Sequence, residues 1–161
     1  MMRSILIVFF VIFLPGQACI GAERFLTGVG VGKSGGDNIA VTAKMWLGQK
    51  HAADLTARFD NDTLIFGGIL SHKFWPPKTP RIGHWDRHWG AGIFVHRNLR
   101  SEKAHNDHGI YVKYGFDYMF EIVPIEVFVD FGPRWGVQEE DFKGIGGIGA
   151  RVYFGSTQMR P

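Results

Sequence analysis

Between Phe25 and Phe154 the chain returns repeatedly to one pattern, an apolar residue at every second position, in eight runs separated by turn-rich pieces. A period of two fits extended strands, whose side chains alternate between two faces, and fits no helix, whose apolar positions recur every three to four residues. The third run is close to ideal, with Ala53, Leu55, Ala57 and Phe59 set against Asp54, Thr56, Arg58 and Asp60. The second alternates Ile39, Val41, Ala43 and Met45 with Ala40, Thr42, Lys44 and Trp46. In the first, Phe25, Thr27, Val29 and Val31 alternate with Leu26 and the glycines 28, 30 and 32. The fourth, Thr63 to His72, is apolar or Gly on both faces, and the fifth covers Gly90 to Asn98. The sixth sets Ile110, Val112, Tyr114, Phe116 and Tyr118 against Tyr111, Lys113, Gly115, Asp117 and Met119. The seventh sets Ile125, Val127, Val129 and Phe131 against Glu126, Phe128 and Asp130, and the eighth sets Ile148, Ala150, Val152 and Phe154 against Gly147, Gly149, Arg151 and Tyr153.

The pieces between the runs are made of turn formers. Asp60-Asn61-Asp62 reads as a tight hairpin, and Lys73 to Trp89, with Pro76, Pro77 and Pro80, reads as a long connection because proline cannot donate to a ladder. Leu99 to His108 is a charged loop, and Val137 to Lys143 a polar one. Twenty-two glycines and fourteen phenylalanines agree with strands and turns rather than helices. The expected fold is therefore all-β, an eight-stranded antiparallel up-and-down barrel.

Ahead of the runs, Met1-Met2-Arg3-Ser4 precedes an apolar stretch from Ile5 to Leu14, then Pro15-Gly16 and the small residues around Ala18 to Ala22. That stretch is far shorter than the roughly 20 residues of a spanning helix and has the form of a secretory signal. Residues 1–22 are expected to be removed, 23–154 to form the barrel and 155–161 to be a tail. Cys19 is the sole cysteine, so the alternative is a lipoprotein starting there; Gly16, not Leu, stands three residues before it. After cleavage no thiol remains for a disulfide or a cysteine metal site. Without Arg3 the net charge of +3 falls to about +2, and no basic face is clustered as a nucleic-acid binder would require.

Alternation alone fits two opposite barrels. A membrane barrel turns its apolar face outward and its polar face inward, whereas a lipocalin-like soluble barrel does the reverse. An even strand count brings both chain ends to one side, here called the near side. The far-side connections, Ser34 to Asn38, Asp60 to Asp62, Leu99 to His108 and Val137 to Lys143, are then all polar. The near side collects Phe25, Trp46, Phe74, Trp75, Trp85, Trp89, Tyr118, Phe120 and Phe154, which reads as an interfacial aromatic girdle. Both features favour the transmembrane arrangement.

The stretch Gly109 to Phe154, with Tyr114-Gly115-Phe116-Asp117-Tyr118-Met119-Phe120, Val123-Pro124-Ile125-Glu126-Val127-Phe128 and Gly146-Gly147-Ile148-Gly149-Ala150-Arg151-Val152-Tyr153-Phe154, resembles a family of small bacterial outer-membrane β-barrels. That family is known largely as a domain of unknown function, first noted in spirochaetes. Gly28-Val29-Gly30-Val31-Gly32 and Ala43-Lys44-Met45-Trp46-Leu47 fit the same pattern. The resemblance implies an eight-stranded barrel like the OmpA transmembrane domain, placed in the outer membrane, with no established catalytic residues. The last strand, ending at Phe154, also resembles the signal read by the outer-membrane assembly machinery, although Gly155 to Pro161 continue beyond it.

Chemistry-bearing residues fall into few groups. The inward face of the last three runs carries Lys113, Asp117, Glu126, Asp130 and Arg151, with Arg134 near the far rim, and a paired structural network is expected because an eight-stranded lumen has room only for its own side chains. His84 with His88, and His105 with His108, have spacings that could bind metal on a helix; in loops without a third ligand no metal site is expected of them. Ser71 and His72 are adjacent, and His96 with Ser101 is a further nucleophile–base pair to weigh, but neighbours in a strand point to opposite faces. No cofactor is expected. The reading carried forward is a structural or surface-interaction protein of the outer membrane, partnered by lipid, by the assembly machinery and by an extracellular ligand of the loops. A lipid-modifying enzyme and a soluble apolar-ligand binder are the alternatives.

Overall fold

The structure, a computed structural model, describes residues 27–35, 38–48, 50–60, 62–74, 83–98, 106–120, 123–138 and 140–154. The signal segment 1–22 with Cys19, the tail 155–161, and Phe25, Trp75, Ser101 and His105 lie outside the described residues. The strands are β1 (Thr27–Ser34), β2 (Ile39–Trp46), β3 (His51–Phe59), β4 (Asp62–Phe74), β5 (Gly83–Asn98), β6 (Asn106–Phe120), β7 (Ile125–Gly136) and β8 (Phe142–Phe154). Each pairs antiparallel with the next, and β1 closes on β8 from Thr27↔Phe154 to Ser34↔Gly147, so no edge is left open. The result is a closed eight-stranded antiparallel barrel.

The wall is uneven. β1 to β3 have 8, 8 and 9 residues, whereas β4 to β8 have 12 to 16. The extra length corrects the sequence reading at four places, the first being Lys73 and Phe74, read as connection but the end of β4, paired with Arg87 and Asp86. Gly83 to Trp89, read there as part of the long connection, is the start of β5, paired with β4 through Ser71↔Trp89 and with β6 through Gly83↔Phe120. Pro76, Pro77 and Pro80 all precede Gly83 in the sequence, and beyond them a new alternation begins, with His84, Asp86 and His88 on one face and Trp85, Arg87 and Trp89 on the other. Asn106 to His108 likewise belong to β6, and Phe142 and Lys143 to β8. Polar composition suggested loops there, but a ladder is closed by backbone pairing, which polar residues support as well as apolar ones.

One irregularity has a local cause. β6 and β7 are in register at Tyr111↔Arg134 and again at Tyr114↔Phe131, but Val112 and Lys113 have no register partner where Gly132-Pro133 passes. Pro133 has no N–H to give to that ladder. Gly132 lets the two backbones approach so closely that a Cβ there would lie 2.0 Å from the Val112 carbonyl oxygen.

Parity decides what lies inside. The outer surface carries Val31, Ile93, Ile110, Val112, Val127, Val129, Phe131 and Ile148, all strongly exposed. The lumen holds two apolar layers. Trp46, Ala52, Leu70 and Tyr153, with Met119 against them, close the near end. Leu64, Phe66, Phe94 and Tyr111, with Ile145, fill the far half, Tyr111 meeting Phe66 edge-on at 5.3 Å. Between these layers lies charge.

Candidate functional site

The middle of the lumen is built from one or two inward residues of most strands: Thr42 and Lys44 on β2, Asp54 on β3, Lys113 and Asp117 on β6, Glu126 and Asp130 on β7, Arg151 on β8. Each faces inward because its neighbours in sequence are the outward apolar residues of an alternating strand. Lys113 Nζ donates to Asp130 Oδ2 at 3.2 Å and to Asp54 Oδ2 at 2.5 Å. Arg151 donates to Asp54 Oδ1 at 2.9 Å and Glu126 Oε1 at 2.6 Å, and through Nε and Nη2 to Thr42 Oγ1 at 3.0 and 2.8 Å. Lys44 Nζ donates to Glu126 Oε2 at 2.9 Å and Asp117 Oδ2 at 3.0 Å. Tyr153 adds its hydroxyl to Glu126 Oε2 at 2.7 Å, and the Arg151 guanidinium lies 3.8 Å over the Phe128 ring. The charges form one chain of alternating sign, Asp130, Lys113, Asp54, Arg151, Glu126, Lys44, Asp117. Such pairing offsets the cost of taking ions out of water.

The five residues expected from the sequence, Lys113, Asp117, Glu126, Asp130 and Arg151, therefore lie in one connected group, but they do not connect to one another alone. Lys44 and Asp54 bridge them, and neither was expected. Their signal was parity: Lys44 and Asp54 occupy the polar positions of the second and third runs just as Arg151 does in the eighth.

Beside Asp117 the network meets two imidazoles. His88 Nδ1 lies 3.0 Å and His72 Nδ1 3.4 Å from Asp117 Oδ2, and all three side chains are buried. His88 was read as a loop residue spaced for a metal with His84; it is instead a lumen residue of β5 whose neighbour is His72, across the β4–β5 register. Ser71 and His72 point to opposite faces, so they form no nucleophile–base pair.

The aromatic residues divide. Trp85, Trp89 and Phe154 are outward and exposed, and Tyr118 meets Trp85 in a tilted contact at 5.0 Å between ring centres. Trp46, expected in the same girdle, is inside, its ring tilted against His72 at 4.4 Å between centres, with Lys44 Nζ 4.8 Å from its ring. Its parity with Lys44 required this; being aromatic at a strand end did not outweigh it. A far-side aromatic set, Phe59, Trp135 and Phe142, is exposed on the outer wall and was not expected from the sequence.

At the far mouth, Arg58 donates through Nη2 to both carboxylate oxygens of Asp62 at 2.9 Å, and His96 Nε2 lies 2.7 Å from Asp62 Oδ2. Partial burial pushes the Asp62 carboxyl up, but the hydrogen bonds from His96 and Arg58 outweigh it and hold the group below its usual value. With Leu64, Phe66, Arg134 and Lys143 these residues line a cavity of about 340 Å³.

A closed, charge-filled barrel with an apolar outer wall has the fold of the small eight-stranded outer-membrane barrels. The N-terminal β-barrel domain of Pseudomonas aeruginosa OprF is similar over 84% of this chain and 100% of that one, with a TM-score of 0.60 at 15% identity. A de novo designed transmembrane β-barrel is similar over 84% of this chain and 98% of that one, with a TM-score of 0.50 at 13% identity. No protein-family model matches the chain, and neither does any curated protein. The likeness thus reaches the barrel fold and not the spirochaete type of the resemblance.

Proposed function

We propose that the chain is an integral outer-membrane barrel with a structural or surface-interaction role, anchored by its wall and presenting its polar far-side connections outward. The observation that carries this is the inversion of burial: Lys44, Arg151, Asp54 and Glu126 are at most 3% exposed, while Ile93 is 66% and Val31 61% exposed. In water this arrangement would expose an apolar wall around the whole molecule and desolvate ions without need. In a bilayer the same wall is solvated by hydrocarbon, and closure of β1 on β8 leaves no strand edge open to the lipid. Outer-membrane lipid is then the first partner and the assembly machinery, reading the strand that ends at Phe154, the second. Trp85 and Trp89 on the near side, and Trp135 and Phe142 on the far side, would lie at the two interfaces as aromatic girdles do.

Single cysteines at 127 and 129 test the wall. In membranes isolated by density, a lipid-partitioning maleimide should reach both and a water-soluble one neither. Free aqueous labelling at both positions in a folded sample would overturn the proposal. Unboiled protein should also run faster in gels than boiled protein, since a closed barrel resists the detergent until heated.

A further inference from the structure

The alternating charge chain does not balance. Asp130, Asp54, Glu126 and Asp117 face Lys113, Arg151 and Lys44, four carboxylates to three cations along this chain. The chain ends on Asp117, which is where the two imidazoles sit. Neither ring nitrogen of His72 has a hydrogen-bond partner, and Asp117 Oδ1 has none either, although both side chains are almost completely buried. Buried polar atoms left in this state are costly unless something binds them.

We propose that His72, His88 and Asp117 form a binding site for a divalent transition metal ion of the zinc type, inside the lumen. One ligand atom from each lies within 4.8 Å of the other two. Two of the three separations, 3.0 and 3.4 Å about Asp117 Oδ2, are already near the ~3.3 Å between ligands that follows from tetrahedral zinc bonds of about 2.0–2.1 Å. Two imidazoles and a carboxylate suit zinc, copper or nickel rather than calcium or magnesium, which take oxygen ligands. Water would complete the coordination. A cation there would also offset the surplus carboxylate of that chain.

The surroundings hold the ligands in place. The Trp46 ring lies tilted against His72, and His88 is pressed against Gly115, where a Cβ would lie 2.7 Å from its Nε2, leaving Nδ1 to face Asp117. His84, Asp86 and His88 follow one another on the inner face of β5 from its near end, their side chains 20%, 5% and 1% exposed. Lys44 is the competitor, since its ammonium holds the same Asp117 oxygen; with metal bound it would keep Glu126 alone.

The test uses the folded barrel in detergent, freed of metal and titrated with Zn²⁺ against a chromogenic chelator. One ion per barrel is expected, with His72→Phe/His88→Phe weakening binding by about 100-fold or more, as loss of primary ligands should exceed the 10–100-fold typical of outer-shell losses. His96→Gln at the far mouth should leave it unchanged. Lys44→Met should tighten binding by about tenfold or more, because a like charge beside the site is removed. Wild-type-strength binding by a double variant that still shows the heat-dependent gel shift would overturn the proposal, as would weaker binding by Lys44→Met. If the double variant does not fold, Co²⁺ added to the wild type decides: the visible spectrum of tetrahedral cobalt supports the site, and an octahedral spectrum or no binding refutes it.

Discussion

The inner and outer faces of β7 and β8 alternate along the same backbone and obey opposite rules. Inside, Glu126 and Arg151 are each 1% exposed and touch in an ion pair; outside, Val127 and Val152 are each exposed. The inner face depends on specific partners, so each residue is worth what its partners lose without it. The outer face depends only on a solvent, so its residues are interchangeable among apolar types and differ by depth alone.

Removing one charge from the inner face should be the most damaging change. Arg151→Met leaves Asp54 and Glu126 each short of a cation, and breaking a buried pair in this way costs about 3–5 kcal/mol. Urea unfolding in lipid vesicles, followed by the gel shift, measures it. A cost below that of a typical surface change would mean that the lumen is wetter than its packing indicates.

The outer face should respond next, and by position. Val129→Arg, near the middle of β7, should cost about 2–4 kcal/mol, and the same change at Ile125, the first residue of that strand, should cost markedly less. Equal costs at both depths would remove the distinction between a lipid wall and an ordinary surface. Tyr153→Phe is a smaller probe of the inner face. It deletes only the hydroxyl that donates to Glu126, which keeps Lys44 and Arg151, so a loss of about 1–2 kcal/mol is expected in the same unfolding assay.

The smallest effect belongs to the far mouth, where inner-face chemistry meets water. Asp62 is held below its usual pKa, so its contribution is present at neutral pH, well above the unfolded value of about 4, and fades as pH falls through that range toward the lower folded value. Because the group is largely solvent-screened, the loss should be within about 1 kcal/mol. Asp62→Asn should flatten the stability profile of the wild type over that acidic range and leave the neutral region nearly unchanged. A variant profile that still falls as steeply would assign the acid sensitivity to other carboxylates.

Period two is a local property, carried by each strand without reference to any other. The strand count, the closed antiparallel architecture and the inward direction of Lys113, Asp117, Glu126, Asp130 and Arg151 were therefore readable from the residues alone. The same rule, applied to every run, also turns Trp46 inward with Lys44; reading it as an interface residue gave composition more weight than parity. The start of β5 was missed for a related reason, since prolines mark where a ladder is broken and not where it resumes.

Which inward residues meet is a different kind of fact. Lys44 and Asp117 are 73 residues apart in the chain, and Arg151 and Thr42 109. They come within hydrogen-bond distance only because the pairing registers of successive strands, and the closure of β1 on β8, bring them around and across a lumen just wide enough for side chains. A shift of one residue in a single register would reverse every side chain of that strand relative to its neighbours. The sequence by itself determined which face each residue takes, because that depends on the backbone of one strand; only the tertiary structure decided that His72, read beside Ser71, and His88, read beside His84, share a corner with Asp117, because that depends on three strands at once.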